Sequence, residues 1–259
     1  MLDWGLYGQA FAIIVMIATA FWLISLIRND VSIVDSMWSL MFLVMLAVYV
    51  LPGEETSARG WLIFTMVVIW AVRLSVFITV RSHGEPEDHR YQVIRENNQP
   101  NFRFKSLYLI FWLQAILAGL IAMPLLSAAE GGAPLGWLDA LGLVLWIVGM
   151  CFEVIGDQQL KTFRDDESNK GKVLDTGLWR LTRHPNYFGE FTLWGGYYCL
   201  ALAAGGWLTI GSPLLMSVLL LKVSGVALLE SSIEQRRPEY ARYIQNTNAF
   251  FPGFRRSRS

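Results

Sequence analysis

The chain has 259 residues, of which 54% are hydrophobic and 16% charged, and its formal net charge is zero. Soluble domains usually carry about 25% charged residues, so this composition excludes an ordinary soluble protein. The balanced charge gives no indication of a nucleic-acid partner. Eleven Trp, nine Tyr and fifteen Phe are typical of a protein that meets two water–lipid interfaces. We therefore predict an integral membrane protein whose partner is the lipid bilayer.

Seven apolar stretches follow one another along the chain. They are residues 5–27, 36–52, 61–80, 107–127, 136–157, 187–207 and 208–229. Most are close to the roughly 20 residues that a helix needs to cross the hydrocarbon core, although the second is short. No repeat or low-complexity linker divides them. The predicted fold is an all-α bundle of seven transmembrane helices forming one domain, residues 1–259.

The polar connections between these stretches differ sharply in charge. One alternating set, which includes the carboxyl-terminal tail, holds eighteen Lys and Arg residues, whereas the other set holds only Arg59. Basic connections remain on the cytoplasmic side of a membrane. The sequence therefore predicts an amino end outside and a carboxyl end in the cytoplasm.

Two ionisable residues lie in or beside the amino-terminal stretches. Asp35 opens the second stretch, and Arg73 lies inside the third. Charged groups in a membrane are costly and usually functional, so each is a candidate for lining a polar cavity. Structural alternatives remain open, because Ser32 and Asp35 also have the spacing of a helix-capping box, and Arg73 could pair with an intramembrane acid.

Polar stripes with helical spacing run along the fifth and sixth stretches. They comprise Glu153, Asp157, Lys161 and Arg164 on one stretch, and Asn186, Glu190 and Trp194 on the other. Residues three or four apart share a helix face, so each stripe presents its side chains together. We expect the two stripes to line a polar cavity near the cytoplasmic end of the bundle.

The loop between these stretches is strongly basic. It holds six Lys and Arg residues between Lys161 and Arg183, followed by His184 and Pro185. Converging cations at a helix amino end favour phosphate groups, either of a cofactor or of lipid headgroups. The sequence has no G-x-G-x-x-G after a strand and no P-loop. Three scattered His residues and two isolated Cys residues predict no metal site.

Several motifs resemble the steroid 5α-reductase superfamily. Residues 150–254 resemble its carboxyl-terminal domain, and the whole chain resembles its bacterial branch. The matching runs are Asp157 to Arg164, Gly177 to Arg180, Arg183 to Glu190, Trp194, Glu239 to Tyr243, Phe251 with Pro252, and, in the amino half, Ser32 to Trp38 and Arg73 to Tyr91. More distantly, the same run from Arg183 resembles isoprenylcysteine and phospholipid methyltransferases.

The resemblance implies a seven-helix bundle that holds NADPH in a cavity open to the cytoplasm. The hydride of such enzymes reduces a carbon–carbon double bond conjugated to a carbonyl, here in a lipid or steroid-like substrate. Residues 1–106 would form the substrate side and residues 107–259 the cofactor side. The implied cofactor ligands are Glu153, Asp157, Asn186, Tyr187, Glu190 and Trp194, with Arg73, Lys161, Arg164, Lys172, Arg183 and His184 toward the phosphates.

The amino half departs from the steroid enzymes at the substrate carbonyl. Those enzymes polarise it with a Gln-Glu pair and a Tyr, where this chain has Val34-Asp35 and Trp70. Asp35, protonated in an apolar site, is expected to hydrogen-bond the developing enolate. Water or Tyr91 would supply the proton that is added to the α-carbon. Glu190 is a catalytic candidate beside Asp35 and Tyr91.

Two further functions remain open from the sequence. An S-adenosylmethionine-dependent methyltransferase would use an equivalent cavity, but that cofactor lacks phosphates, so the six basic residues favour NADPH. A non-catalytic lipid-binding protein or transporter usually carries its site at the midplane. The bacterial resemblance predicts a multi-pass protein of the inner membrane, and a monomer is the default expectation.

Overall fold

The computed structural model describes residues 2–52, 56–223 and 239–254, which contain helices and no strand. The helices are α1 (Trp4–Arg28), α2 (Ile33–Val50), α3 (Ala58–Ser82), α4 (His89–Asn97), α5 (Phe102–Ser106), α6 (Leu113–Ile121), α7 (Met123–Ala129), α8 (Trp137–Asp165), α9 (Pro185–Ala203), α10 (Gly211–Val218) and α11 (Glu239–Asn246). Single turns of 3₁₀-helix cover Glu167–Asn169, Gly177–Arg180 and Trp207–Ile210, and π-helical turns cover Leu107–Trp112 and Leu219–Val223.

Five helical segments of the described chain are long and apolar enough to cross a membrane. They are Trp4–Arg28, Ile33–Val50, Ala58–Ser82, Phe102–Ile121 and Trp137–Asp165. Much of their apolar surface is exposed, for example Met16 and Ile27 on α1, as expected of side chains that face lipid. The prediction of an all-α membrane protein is confirmed, whereas seven spans and their orientation remain predictions. The seventh predicted stretch, 208–229, extends beyond the described residues.

Two boundaries differ from the sequence prediction. Helix α8 continues to Asp165, eight residues past the predicted end of the fifth stretch. A pair of charges one turn apart supports this extension, since Lys161 Nζ lies 2.8 Å from Asp165 Oδ2. The fourth stretch is interrupted between α6 and α7, where Pro124 cannot continue the backbone hydrogen bonding of the preceding turn.

The chain divides into two compact units, residues 1–136 with 200–212 and residues 137–199 with 213–259. In the first unit, α2 and α3 pack through hydroxyl groups that bond the facing backbone. Ser39 donates to the Ala71 carbonyl and Ser75 to the Ser36 carbonyl, each at 2.8 Å. Such bonds between small polar residues hold membrane helices together without a hydrophobic driving force.

In the second unit, α8 and α9 meet at glycines. A Cβ added to Gly189 would lie 2.6 Å from the Gly149 carbonyl oxygen, and one added to Gly196 would lie 2.5 Å from that of Gly142. Only glycine allows the two backbones to approach this closely. The spacing of seven residues on both helices repeats the contact two turns along. This crossing brings the two predicted polar stripes against each other.

Candidate functional site

The first group of site residues, here the Asp35 cluster, comprises Asp35, Asp88, Arg90 and Tyr91 in the first unit. Tyr91 donates its hydroxyl proton to Asp35 Oδ1 at 2.5 Å, and Arg90 Nη2 lies 2.8 Å from Asp35 Oδ2. Both carboxyl oxygens of Asp35 therefore accept a hydrogen bond. The sequence predicted roles for Asp35 and Tyr91, and the structure brings them together although they are 56 residues apart.

The structure does not support a helix-capping role for Ser32 and Asp35. Ser32 precedes α2 without a side-chain capping bond. Its hydroxyl instead accepts a hydrogen bond from the backbone N–H of Asp88 at 2.9 Å. Ser32 thus ties the start of α4 to the start of α2, and this tie places Arg90 and Tyr91 beside Asp35.

The protonation of Asp35 remains a prediction, because burial favours the neutral form of its carboxyl group and a neighbouring cation favours the ionised form. An adjacent guanidinium favours the ionised form of a carboxyl group, and Arg90 occupies that place. Burial and the neighbouring Asp35 carboxylate raise the pKa of the Tyr91 phenol well above its ordinary value. Although burial opposes it, hydrogen bonds from Arg90 hold the pKa of Asp88 below its ordinary value. The cluster therefore contains a protonated phenol that is hydrogen-bonded to the Asp35 carboxyl group.

Trp70 occupies the position that aligns with the Tyr of the steroid enzymes. It is fully buried, and its ring meets Phe42 edge-on with centroids 5.7 Å apart. Its role is to fill the core between α2 and α3.

The second group, here the carboxylate cluster, comprises Glu153, Asp157, Asn186, Glu190 and Trp194 in the second unit. Asn186 donates through Nδ2 to Asp157 Oδ1, and Trp194 Nε1 donates to Glu190 Oε1 at 2.9 Å. The side chains of all three acids are almost completely buried. The structure thus brings both predicted stripes into one polar cluster.

The carboxylate cluster depends on the glycine contacts of α8 and α9. A Cβ added to Gly189 would lie 2.9 Å from Glu153 Cγ, and one added to Gly156 would collide with Asn186. The missing side chains leave room for the polar ones. Asn186 Oδ1 is buried with no hydrogen-bond partner within the described ranges. The cluster is therefore rich in acceptors and suited to a ligand that donates hydrogen bonds.

The predicted cationic residues are placed differently from one another. Lys161 and Arg164, in the last two turns of α8, and Lys172, in the connection that follows, are exposed. Arg183 is buried and donates through Nη1 to the carbonyls of Ile244 and Thr247, at 3.1 and 2.6 Å. Arg183 thus anchors the carboxyl-terminal segment, a contact that the sequence did not reveal.

The remaining predicted ligands have ring contacts. His184 stacks on Tyr187 with centroids 5.5 Å apart, and the Arg73 guanidinium lies over Phe77 at 5.4 Å. Arg73 belongs to the first unit, with the Asp35 cluster. Within the described part of the chain, no group of His, Cys, Asp or Glu could hold a metal ion.

Two functional candidates escaped the sequence reasoning. Arg90 was part of a matching motif but had no assigned role. Tyr197 is fully buried and accepts a hydrogen bond from Trp146 Nε1 at 3.0 Å, while its ring meets that of Trp194. Tyr197 continues the stripe of Asn186, Glu190 and Trp194 by three residues, which is the signal that could have identified it.

Comparison with known proteins gives short local matches to enzymes of two kinds. The chain is 42% identical over 67 residues to a probable O-methyltransferase, ustE, of Ustilaginoidea virens, covering 26% of this chain and 22% of that protein. It is 32% identical over 66 residues to 3-oxo-5-alpha-steroid 4-dehydrogenase 1 of Bos taurus, covering 26% of each. These matches span about a quarter of the curated relatives.

A third relative is the steroid 5-alpha-reductase DET2 of Arabidopsis thaliana, 34% identical over 83 residues, which cover 32% of this chain and 30% of that protein. No solved structure matches the chain significantly. The family model described as "Protein of unknown function (DUF1295)" matches residues 21–247. Since that model covers most of the sequence, the chain belongs to the DUF1295 family, a family of steroid 5-alpha-reductase-like membrane proteins.

Proposed function

We propose that this protein is an NADPH-dependent membrane reductase. Its substrate would be a lipid or steroid-like molecule with a carbon–carbon double bond conjugated to a carbonyl. The observation that carries the proposal is the hydrogen bond between Tyr91 and Asp35. A phenol whose hydroxyl turns from Asp35 to a substrate carbonyl can polarise that carbonyl, as reduction of a conjugated double bond requires. The local similarity to steroid reductases supports the same chemistry.

The carboxylate cluster has the groups that the nicotinamide and ribose ends of NADPH need. A carboxamide and ribose hydroxyls donate hydrogen bonds, and Asn186 Oδ1 is a buried acceptor beside Asp157. The exposed Lys161, Arg164 and Lys172 are suited to the phosphates. When bound, NADPH would supply a hydride to the substrate.

In the proposed reaction, the Asp35 cluster acts on the carbonyl group of the substrate. Tyr91 turns its hydroxyl from Asp35 to the carbonyl oxygen and transfers its proton as negative charge develops there, and the enol that results tautomerises to the saturated carbonyl compound. The raised pKa of Tyr91 means that the phenol is protonated at neutral pH. Asp35 orients the hydroxyl in the resting state. We assign the proton at the carbonyl oxygen to Tyr91 rather than to Asp35, because the Tyr91 hydroxyl is the donor of the pair and both oxygens of Asp35 accept hydrogen bonds.

A methyltransferase is the second candidate function. The 42% identity to a probable O-methyltransferase over 67 residues favours it. Three buried carboxyl groups would also suit a cofactor that carries a positive charge. The two functions differ in the cofactor, and the cofactor can be tested without knowing the substrate.

The test is a thermal-shift comparison of the purified protein in detergent with NADPH, NADP⁺, NADH and S-adenosylmethionine. We expect NADPH to raise the Tm by much more than NADH does, because the exposed cations would bind the 2′-phosphate that only NADPH carries. Asp157→Ala should abolish this stabilisation, whereas the control Glu96→Ala, at an exposed acid on α4, should retain it. Stabilisation by S-adenosylmethionine alone would replace the reductase with the methyltransferase.

The cellular setting completes the proposal. We place the protein in the inner membrane of a bacterium, as a seven-span monomer whose substrate enters from the bilayer. The five span-capable helices of the described chain support a multi-pass location. A lipid substrate dissolves in the same hydrocarbon phase that surrounds these helices.

A further inference from the structure

Arg90 is the residue of the Asp35 cluster to which the proposed reaction assigns no role. It lies at the start of α4, where the Asp88 side chain accepts a hydrogen bond from the Arg90 backbone N–H at 2.9 Å. The backbone of Asp88 is in turn bonded to Ser32 at 2.9 Å. Arg90 is therefore anchored to the first turn of α2, which carries Asp35.

The Arg90 guanidinium bridges two carboxylates. Its Nη2 lies 2.8 Å from Asp35 Oδ2, and its Nε lies 3.0 Å from Asp88 Oδ1. A second contact joins Nη2 to Asp88 Oδ2 at 3.2 Å. The planar fork of arginine can satisfy both acids at once, whereas the single ammonium group of lysine has no such fixed geometry. Asp88 thus fixes the guanidinium, and the guanidinium fixes Asp35.

Tyr91 depends on the same arrangement. Its hydroxyl donates to Asp35 Oδ1, the carboxyl oxygen that Arg90 does not contact. Because Arg90 holds Oδ2, the carboxylate presents Oδ1 to the phenol in one orientation. A continuous chain of hydrogen bonds therefore runs from Asp88 through Arg90 and Asp35 to the buried phenol of Tyr91.

We infer that Arg90 is a positioning residue, which fixes the orientation of the Asp35 carboxyl group so that Asp35 holds the Tyr91 hydroxyl in place. Its part in turnover rests on the proposed reductase function, but its effect on Tyr91 does not. An ordinary ion pair at the membrane surface would add a little stability and leave the phenol unaffected. A positioning role of Arg90 instead changes the surroundings of the phenol.

The other charged residues near the cluster indicate what happens to Asp35 when Arg90 is replaced. Asp35 approaches from α2, Asp88 and Arg90 lie at the start of α4, and Arg81 at the end of α3 acts on Asp88. Without Arg90, Asp35 and Asp88 lose the cation between them. The Asp35 carboxyl group then loses the contact that fixes Oδ2, so it no longer presents Oδ1 to the phenol in one orientation.

The experiment observes Tyr91 directly, in protein labelled with ¹³Cζ-tyrosine and without substrate or cofactor. The Tyr91 resonance is assigned by its loss in Tyr91→Phe, and Asp35→Asn gives its position without the carboxylate. We expect Arg90→Met to move the resonance in the same direction as Asp35→Asn. Arg90→Lys, which restores charge but not the bridge, should give an intermediate shift.

The control is Arg95→Met on the same helix, which removes an ion pair to Glu87 of 2.6 Å. This variant should leave the Tyr91 resonance in its wild-type position. If Arg90→Met behaves like Arg95→Met, the positioning role is wrong. If Arg90→Met does not fold, Arg90→Lys replaces it in the test. A Tyr91 resonance at its wild-type position in Arg90→Lys then contradicts the positioning role. None of these results depends on whether NADPH binds, so the inference and the proposed function can fail separately.

Discussion

Tyr91 is the side chain on which the proposed chemistry depends most directly. It lies outside the predicted spans, on a short helix of nine residues, yet it is buried against Asp35.

Replacing Tyr91 by Phe keeps the ring and removes the proton that the proposed reaction transfers. With an enone lipid that the wild type reduces, we expect turnover to fall by about 10²–10⁴-fold, the usual contribution of a positioned acid. The measurement is NADPH oxidation at saturating substrate. Tyr108→Phe, at an exposed tyrosine, should behave like wild type. A Tyr91→Phe enzyme with unchanged turnover would assign the proton to another group.

At the scale of elements, the α8–α9 crossing has the greatest influence on the site. The two helices touch through glycines spaced seven residues apart, and Glu153 and Asn186 lie at these contacts. Two neighbouring glycines on α9 differ in whether they contact α8. Gly196 faces the backbone of Gly142, whereas Gly195 has no described atom within 4 Å of an added Cβ.

This difference gives a matched pair of substitutions. Gly196→Ala should destabilise the protein by about 1–3 kcal/mol, because the methyl group forces two backbones apart. Gly195→Ala should be neutral or stabilising by up to about 1 kcal/mol, since alanine favours the helix. Thermal unfolding in detergent measures both. Equal effects of the two variants would mean that α8 and α9 do not touch at Gly196.

At the scale of the whole molecule, the charge asymmetry predicts a topology that fusions can test. Eighteen basic residues lie in one set of connections and one in the other. We expect green fluorescent protein fused to the carboxyl end to fluoresce, since that end is predicted to be cytoplasmic. Alkaline phosphatase fused after Gly132 should be active, because the connection between α7 and α8 is predicted to lie outside. An inactive phosphatase at Gly132 would reverse the orientation.

Composition and hydrophobic periodicity were sufficient to predict a helical membrane protein, because these signals depend only on residues close together in the chain. The stripes of Glu153 with Asp157 and of Asn186 with Glu190 and Trp194 were visible for the same reason. Their positions follow from the helical repeat. The family motifs then suggested what these residues bind.

Only the tertiary structure could decide which distant residues meet. Asp35 and Arg90 are separated by 55 residues, and no local pattern fixes their contact. Ser32 looked like a helix cap, but its hydroxyl instead bonds Asp88. The hydrogen bonds of Asp35 and the buried anchor of Arg183 likewise depend on partners from other elements. The sequence determines which side chains share a helix face, whereas packing between helices determines which faces meet and therefore which polar groups bond to one another.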